Sequence, residues 1–236
     1  MIWLGIDTSN VPLSVAVVKD NQLLVEWTSS IKVTHSVGAM PAVEEALKQA
    51  SIKPADIDVI AVAEGPGSYT GVRIGVTIAK TLAWTLKIPV VGVSSLQTLA
   101  ANGSLFNGLI CPIMDARRGN VFSAIYSNEL MVELPDGHYA LDTILETLAP
   151  KEENVLFVGK DVSLHWEAIQ RVLGERAVRA PFYLDLPRAS VVIEQAEKKP
   201  LPSIEETHHF VPDYKRITEA ETNWRADQLK AGKSND

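Results

Sequence analysis

Two aspartates and one glycine-rich turn carry the residue types most able to do chemistry. Asp7-Thr8-Ser9 closes an apolar run that starts at Ile2, and Asp115 closes a second run at Leu109–Ala116. Aspartates at such strand ends in two-lobed phosphotransferases hold Mg²⁺, while nearby hydroxyls and amides hold phosphate. An Asx turn that ends a strand by local hydrogen bonding uses the same residue. Gly65-Pro66-Gly67-Ser68 delivers the chain onto a helix start, whose free N–H groups attract anions. It lacks the lysine and the glycine spacing of a Walker loop or a G-x-G-x-x-G fingerprint. The first turn, SNVP, also lacks the glycine that lets backbone approach a phosphate. A nucleotide cleft made of Asp7, Thr8, Ser9, Gly65, Gly67, Ser68 and Asp115 is therefore read as ancestral. It would take ATP or ADP weakly at most, with no tightly bound cofactor.

Other chemistries find less support. Neither Ser68 nor Ser94 lies in a G-x-S-x-G elbow. The five histidines, His35, His138, His165, His208 and His209, form no H-x-x-x-H or H-E-x-x-H pair, which disfavours a zinc hydrolase. Cys111 is the single cysteine and sits in an apolar run. It excludes an internal disulfide, fits a reducing compartment and reads as a small buried residue. Arg73, Arg117 and Arg118 read as surface cations, or as groups facing a cleft or partner. A net charge of −7 over 236 residues argues against a nucleic-acid grip by this chain alone, since phosphate contacts need clustered Lys and Arg. The start, MIWLGID, has no basic n-region, and no apolar run reaches the ~18 residues of a membrane span. A cytoplasmic protein is expected.

These residues need a scaffold, and the sequence outlines one. Ile2–Ile6, Leu13–Val18 and Leu23–Trp27 read as antiparallel strands, with Asp20-Asn21 as a hairpin turn. His35–Ser51 has helical apolar spacing, with Pro41 near its first turn. Val59–Glu64 reads as a strand, Thr70–Leu86 as a helix and Val90–Val93 as a further strand. Within the second helix Gly71, Gly75, Ala79 and Ala83 recur every four residues. Glycine inside a helix costs about 1 kcal/mol relative to alanine, so this flat ridge needs a compensating contact. A second helix packed unusually close and an internal helix–sheet contact both fit the spacing.

The second half repeats the opening. Leu109–Ala116, the polar turn Arg117–Asn120, Val121–Tyr126, the turn Ser127-Asn128 and Leu130–Leu134 follow the same order. Asp7 and Asp115 lie about 108 residues apart, the mark of a duplicated domain. Helices near Leu141–Leu148, Trp166–Leu173 and Arg188–Lys198, and a strand at Val155–Gly159, complete the copy. The expected division is 1–102 and 103–236, at Asn102-Gly103-Ser104, with a polar tail from Pro212. That tail carries a helical stretch around Thr218–Leu229 and an end, Lys230–Asp236, expected to lack order.

The run GPGSYTGVRIG, the IDTS after the first strand, IMDARRGNVF and the P-x-Y-x-R at Pro212–Arg216 resemble the TsaB (YeaZ) family over nearly the full chain. His35-Ser36 leading to Met40-Pro41 fits as well. Tyr69 stands where phenylalanine is commoner and Phe122 where tyrosine is, and Asp185–Glu206 match only loosely. The resemblance implies an α/β fold of the actin-like, ribonuclease H-like kind, with two duplicated subdomains. It also implies a non-catalytic partner of TsaD, which transfers threonylcarbamoyl to N6 of the adenosine 3′ of the anticodon in tRNAs reading codons that begin with A. TsaE, an ATPase, joins the pair, and tRNA is met only through the complex.

The resemblance further implies that the metal-binding H-x-x-x-H of the catalytic paralogue would fall at Ser95 and Leu99 of this chain, so older glycoprotease labels imply an activity these residues do not support. The first two helices would dock on TsaD, or on a second copy when TsaD is absent. This assigns a contact to His35, Ala39, Met40, Val43, Ala46 and Leu47 of the first helix. Gly71, Arg73, Gly75, Val76 and Ala79 would serve on the second, and Gly75→Leu is expected to break association but leave the monomer folded. The rivals are a small-molecule ATP-dependent kinase of the same fold and a hydrolase with an unrecognised serine site.

Overall fold

The computed structural model describes residues 1–31 and 34–215. The helical stretch expected around Thr218–Leu229 and the terminal Lys230–Asp236 lie outside the described residues. The chain opens with β1 (Ile2–Asp7), β2 (Leu13–Lys19) and β3 (Gln22–Ser29), then α1 (His35–Gln49), β4 (Val59–Gly65), α2 (Tyr69–Leu86), β5 (Val90–Ser94) and α3 (Ser95–Ala101). The second series is β6 (Leu109–Asp115), β7 (Asn120–Tyr126), β8 (Val132–Ala140), α4 (Leu141–Leu148), β9 (Val155–Val158), α5 (Val162–Leu173), β10 (Ala177–Arg179) and α6 (Ala189–Glu197).

The strands form two sheets with one plan. The first runs β3-β2-β1-β4-β5 and the second β10-β9-β6-β7-β8. In each, the leading strand pairs antiparallel with the next strand and parallel with the fourth. The duplication read from the aspartate spacing is thus a duplication of topology. Asp20 and Asn21 both take positive φ, as a two-residue hairpin turn requires. Two expectations shift. β8 starts at Val132 rather than Leu130, which lies in the preceding turn with φ +62°. Helix α5 begins a turn before Trp166. The strand β10 and helix α3, both short, escape the sequence reading.

Alternation along the strands sorts side chains to two faces. Leu4, Ile6, Val15 and Val17 pack against α1 and α2, whereas Trp3, Ala16, Val18, Ala61 and Val91 face α6. On the second sheet Cys111, Ile113 and Ile125 face α4 and α5, and Ile110, Met114 and Ala124 face α3. So α3, from the first half, covers the second sheet, and α6, from the second half, covers the first. A Cβ at Gly5 would lie 2.5 Å from the Ala189 carbonyl oxygen, so the missing side chain sets how closely α6 approaches. The chain first changes sheets near Asn102–Ser104, yet the segment 189–197 returns. A linear division into 1–102 and 103–236 therefore does not describe the packing. Among the described residues no helix is long and apolar enough to cross a membrane.

Candidate functional site

The turns that follow the two leading strands both face a cleft of about 560 Å³. Its walls are Asn10 and Val11 from the β1–β2 turn, Gly67–Thr70 from the β4–α2 turn and the start of α2, Met114–Arg117 from the end of β6 and the turn after it, Phe122 of β7, and Asp213–Lys215 from the C-terminal segment. Of the residues expected to form a nucleotide cleft, Gly67, Ser68 and Asp115 line it. Asp7, Thr8, Ser9 and Gly65 are buried behind its wall.

That wall is built by the chain bonding to itself. The Ser68 amide donates to the Ser9 carbonyl at 2.7 Å, and the Thr8 hydroxyl donates to the Gly71 carbonyl at 2.7 Å. The Ser68 hydroxyl caps α2 by accepting from the Gly71 amide. A Cβ on Gly67 would stand 2.2 Å from the Ser9 carbonyl oxygen. The glycine turn therefore gives its room to the first strand's own turn, and an amide suited to phosphate is already used. Asp7 accepts from the Ser9 amide and hydroxyl through Oδ1, and its Oδ2 has no partner among the described residues. Burial pushes the Asp7 carboxyl above the ordinary carboxylate range, against the opposing pull of Ser9 and His35. His35 lies against this turn, its Nε2 2.7 Å from the Asn10 carbonyl.

Asp115, by contrast, is partly exposed and lies 3.2 Å from His165 Nε2. Beyond it Arg117, Arg118 and Gly119 all take positive φ, a conformation that costs an L-residue about 1 kcal/mol or more. The Asn120 side-chain amide donates to the carbonyls of both arginines. Among the described residues, no group of three or more His, Cys, Asp or Glu side chains could hold a metal ion. Ser95 and Leu99 carry structural duties. The Ser95 hydroxyl accepts from the Gly65 amide at 3.1 Å, and Leu99 lies in the apolar cluster under the second sheet. Cys111 is buried and its thiol is pushed up to about 12 by that burial, as a packing residue would be.

The residues expected to dock on a partner do not share one face. Gly71 and Gly75 abut Thr8: a Cβ on Gly75 would lie 2.4 Å from Thr8 Oγ1 and 3.6 Å from Val62, and one on Gly71 would lie 2.2 Å from the Thr8 carbonyl oxygen. The ridge is thus an internal helix–sheet contact. Ala39, Val43, Ala46, Leu47, Val76 and Ala79 belong to the same core. Gly75→Leu would act on the monomer itself, which corrects the expectation above. Only Met40 and Arg73 of that set are exposed, with His35 half-buried. The outward surface of these helices includes Val37, Met40, Pro41 and Glu44 on α1 and Arg73, Thr77 and Thr81 on α2.

The C-terminal segment is the part of the site that sequence reasoning missed. Tyr214 stacks on Tyr69 with ring centres 4.7 Å apart, and the Asp213 amide donates to the Glu64 carbonyl at 2.7 Å. Lys80 of α2 donates to the carbonyls of Phe210 and His208, and the His208 and Trp84 rings pack nearly perpendicular to each other. The P-x-Y-x-R run was the only signal in the sequence for it.

Comparison with known proteins agrees with this plan. A family model described as TsaD, tRNA N6-adenosine threonylcarbamoyltransferase, matches residues 29–224. A solved structure, titled an uncharacterized protein with similarity to peptidase YeaZ from Pseudomonas aeruginosa, superimposes with a TM-score of 0.76 at 23% identity, covering 91% of this chain and 99% of that one. The activator of the 2-hydroxyisocaproyl-CoA dehydratase from Clostridium difficile, solved with bound ADPNP, reaches 0.50 at 12% identity, covering 89% and 96%. The fold is that of the actin-like, ribonuclease H-like class. The tRNA threonylcarbamoyladenosine biosynthesis protein TsaB of Bacillus subtilis (strain 168) is 46% identical over 227 residues, 95% of this chain and 98% of that one. The chain belongs to the TsaB family.

Proposed function

We propose that this chain is the non-catalytic subunit of the cytoplasmic machinery that makes threonylcarbamoyladenosine in tRNA. In this reading it docks on TsaD through α1 and α2, pairs with a second copy of itself when TsaD is absent, and meets TsaE and tRNA through the complex. The carrying observation is the fate of the paralogue's metal positions. Ser95 serves the β4–α2 turn and Leu99 fills the core, and neither side chain replaces an imidazole. The name of the Bacillus relative supports the pathway. The kinase alternative is disfavoured by the Ser68 amide, which the Ser9 carbonyl already engages. Any nucleotide in this cleft is weakly held.

Light scattering on the purified chain, alone and with its cognate TsaD, tests the reading. A dimer that exchanges for a heterodimer, together with modification of tRNA that requires both chains, is expected. A monomer indifferent to TsaD overturns it, as would ATP hydrolysis by the isolated chain at about 0.1 per second or faster.

A further inference from the structure

We propose that residues 204–215 are a clasp that positions α2 for docking and ties it to the cleft; the docking half of this inference rests on the function proposed above. The segment makes discrete contacts at both ends of one helix. At the C-terminal end of α2, Ile204, Thr207 and His208 border a second hollow with Trp84 and Lys87, and Lys80 holds two carbonyls of the segment, at 2.7 Å and 3.1 Å. Phe210 packs into the core shared by α1, α2 and the first sheet. At the N-terminal end, Asp213 bonds to Glu64 and Tyr214 covers Tyr69, which also lines the cleft. Gly65 has φ +112°, and a Cβ there would meet the Asp213 carbonyl oxygen at 2.6 Å. The β4–α2 turn is therefore shaped to receive this segment.

Thr207 and Phe210 anchor the middle of the hold, and its Tyr214 end is the part built for release. Tyr69 is 48% exposed, Tyr214 40% and Trp84 62%, so both aromatic contacts sit at the surface. Segments with few buried contacts open at a free energy well below that of global unfolding. Opening at Tyr214 would strip one wall from the cleft and loosen the helix that carries Arg73, Thr77 and Thr81. The same few contacts thus couple the cleft to the docking surface, with Tyr214 and Lys80 as positioning residues.

Hydrogen exchange on the full-length chain reads the clasp directly. Tyr214→Ala should speed exchange of the α2 amides between residues 72 and 75, and Lys80→Met that of the amides between residues 76 and 86, each by about tenfold, while Tyr214→Phe, which keeps the ring, should not. The two loosening variants should weaken self-association or TsaD binding by about tenfold as well. Unchanged α2 exchange in both variants overturns the clasp, and loosened exchange with unaltered association overturns its role in docking. A wild-type chain that binds neither itself nor TsaD refutes the docking function instead, and the exchange result still judges whether the clasp exists.

Discussion

Thr8 ties the first strand to the second helix through its hydroxyl, and its Oγ1 and carbonyl lie where side chains at positions 75 and 71 would have to go. Gly75→Ala gains helix propensity but forces a methyl into this contact, and overpacking of this kind costs about 1–3 kcal/mol. We expect a net loss of stability by denaturant titration. The loss should shrink in a Thr8→Ala background, because deleting Oγ1 leaves Val62 as the nearest neighbour. Additive costs would show that the two sites are not coupled. Asp7 offers a prediction in pH. Its raised folded-state value means that folding opposes the charged form, so the penalty is full above that value and fades as pH falls through it toward the ordinary carboxylate range. Asp7→Asn keeps an acceptor for Ser9 and removes the charge. It should be more stable relative to wild type at pH 7 than at about pH 4, and a difference that ignores pH would exclude charge as its cause.

At the scale of elements, helices α1 and α2 show what sequence can and cannot yield. Their existence and span follow from apolar spacing, and α2 ends at Leu86 as expected. The side that the glycine ridge faces does not follow, because small residues every four positions offer the same flat stripe to a helix or to a sheet. Only the register that sets Thr8 beneath Gly75 separates these cases, and that register is a tertiary fact. The short α3 and β10 were illegible for another reason: seven and three residues hold too little periodicity to announce themselves. The candidate cleft was half legible. The strand-ending aspartates and the glycine turn mark its place, but not that Asp7, Thr8 and Ser9 lie behind its wall, nor that Tyr214 closes it. The outward face of α1 and α2, where docking is proposed, makes its own prediction. Thr77→Arg, on the exposed face of α2, should leave folding stability within about 0.5 kcal/mol and abolish association in light scattering. Intact dimers would place the interface elsewhere.

At the scale of the whole molecule, the two sheets depend on each other. Asp136 on β8 accepts hydrogen bonds from Ser94 at the end of β5 and from Tyr126 on β7, so one carboxylate joins both halves. Hydrogen bonds to a charged group contribute about 1.5–3 kcal/mol each. Asp136→Ala should lower stability by about 2–4 kcal/mol in calorimetry, and a smaller loss than 1 kcal/mol would show that the link is idle. The crossed helices make a stronger statement. A fragment of residues 1–102 lacks α6, so Trp3, Ala61 and Val91 lose the layer that covers them. It should give the poorly dispersed NMR spectrum of an unfolded or molten chain, whereas an independent domain would give a folded one.

That crossing also constrains how such a molecule could have arisen. A half-length ancestor with this plan would own a last helix with no sheet of its own to cover. Two copies of such a half would each lend that helix to the other, which is the geometry of a domain-swapped homodimer drawn within one chain.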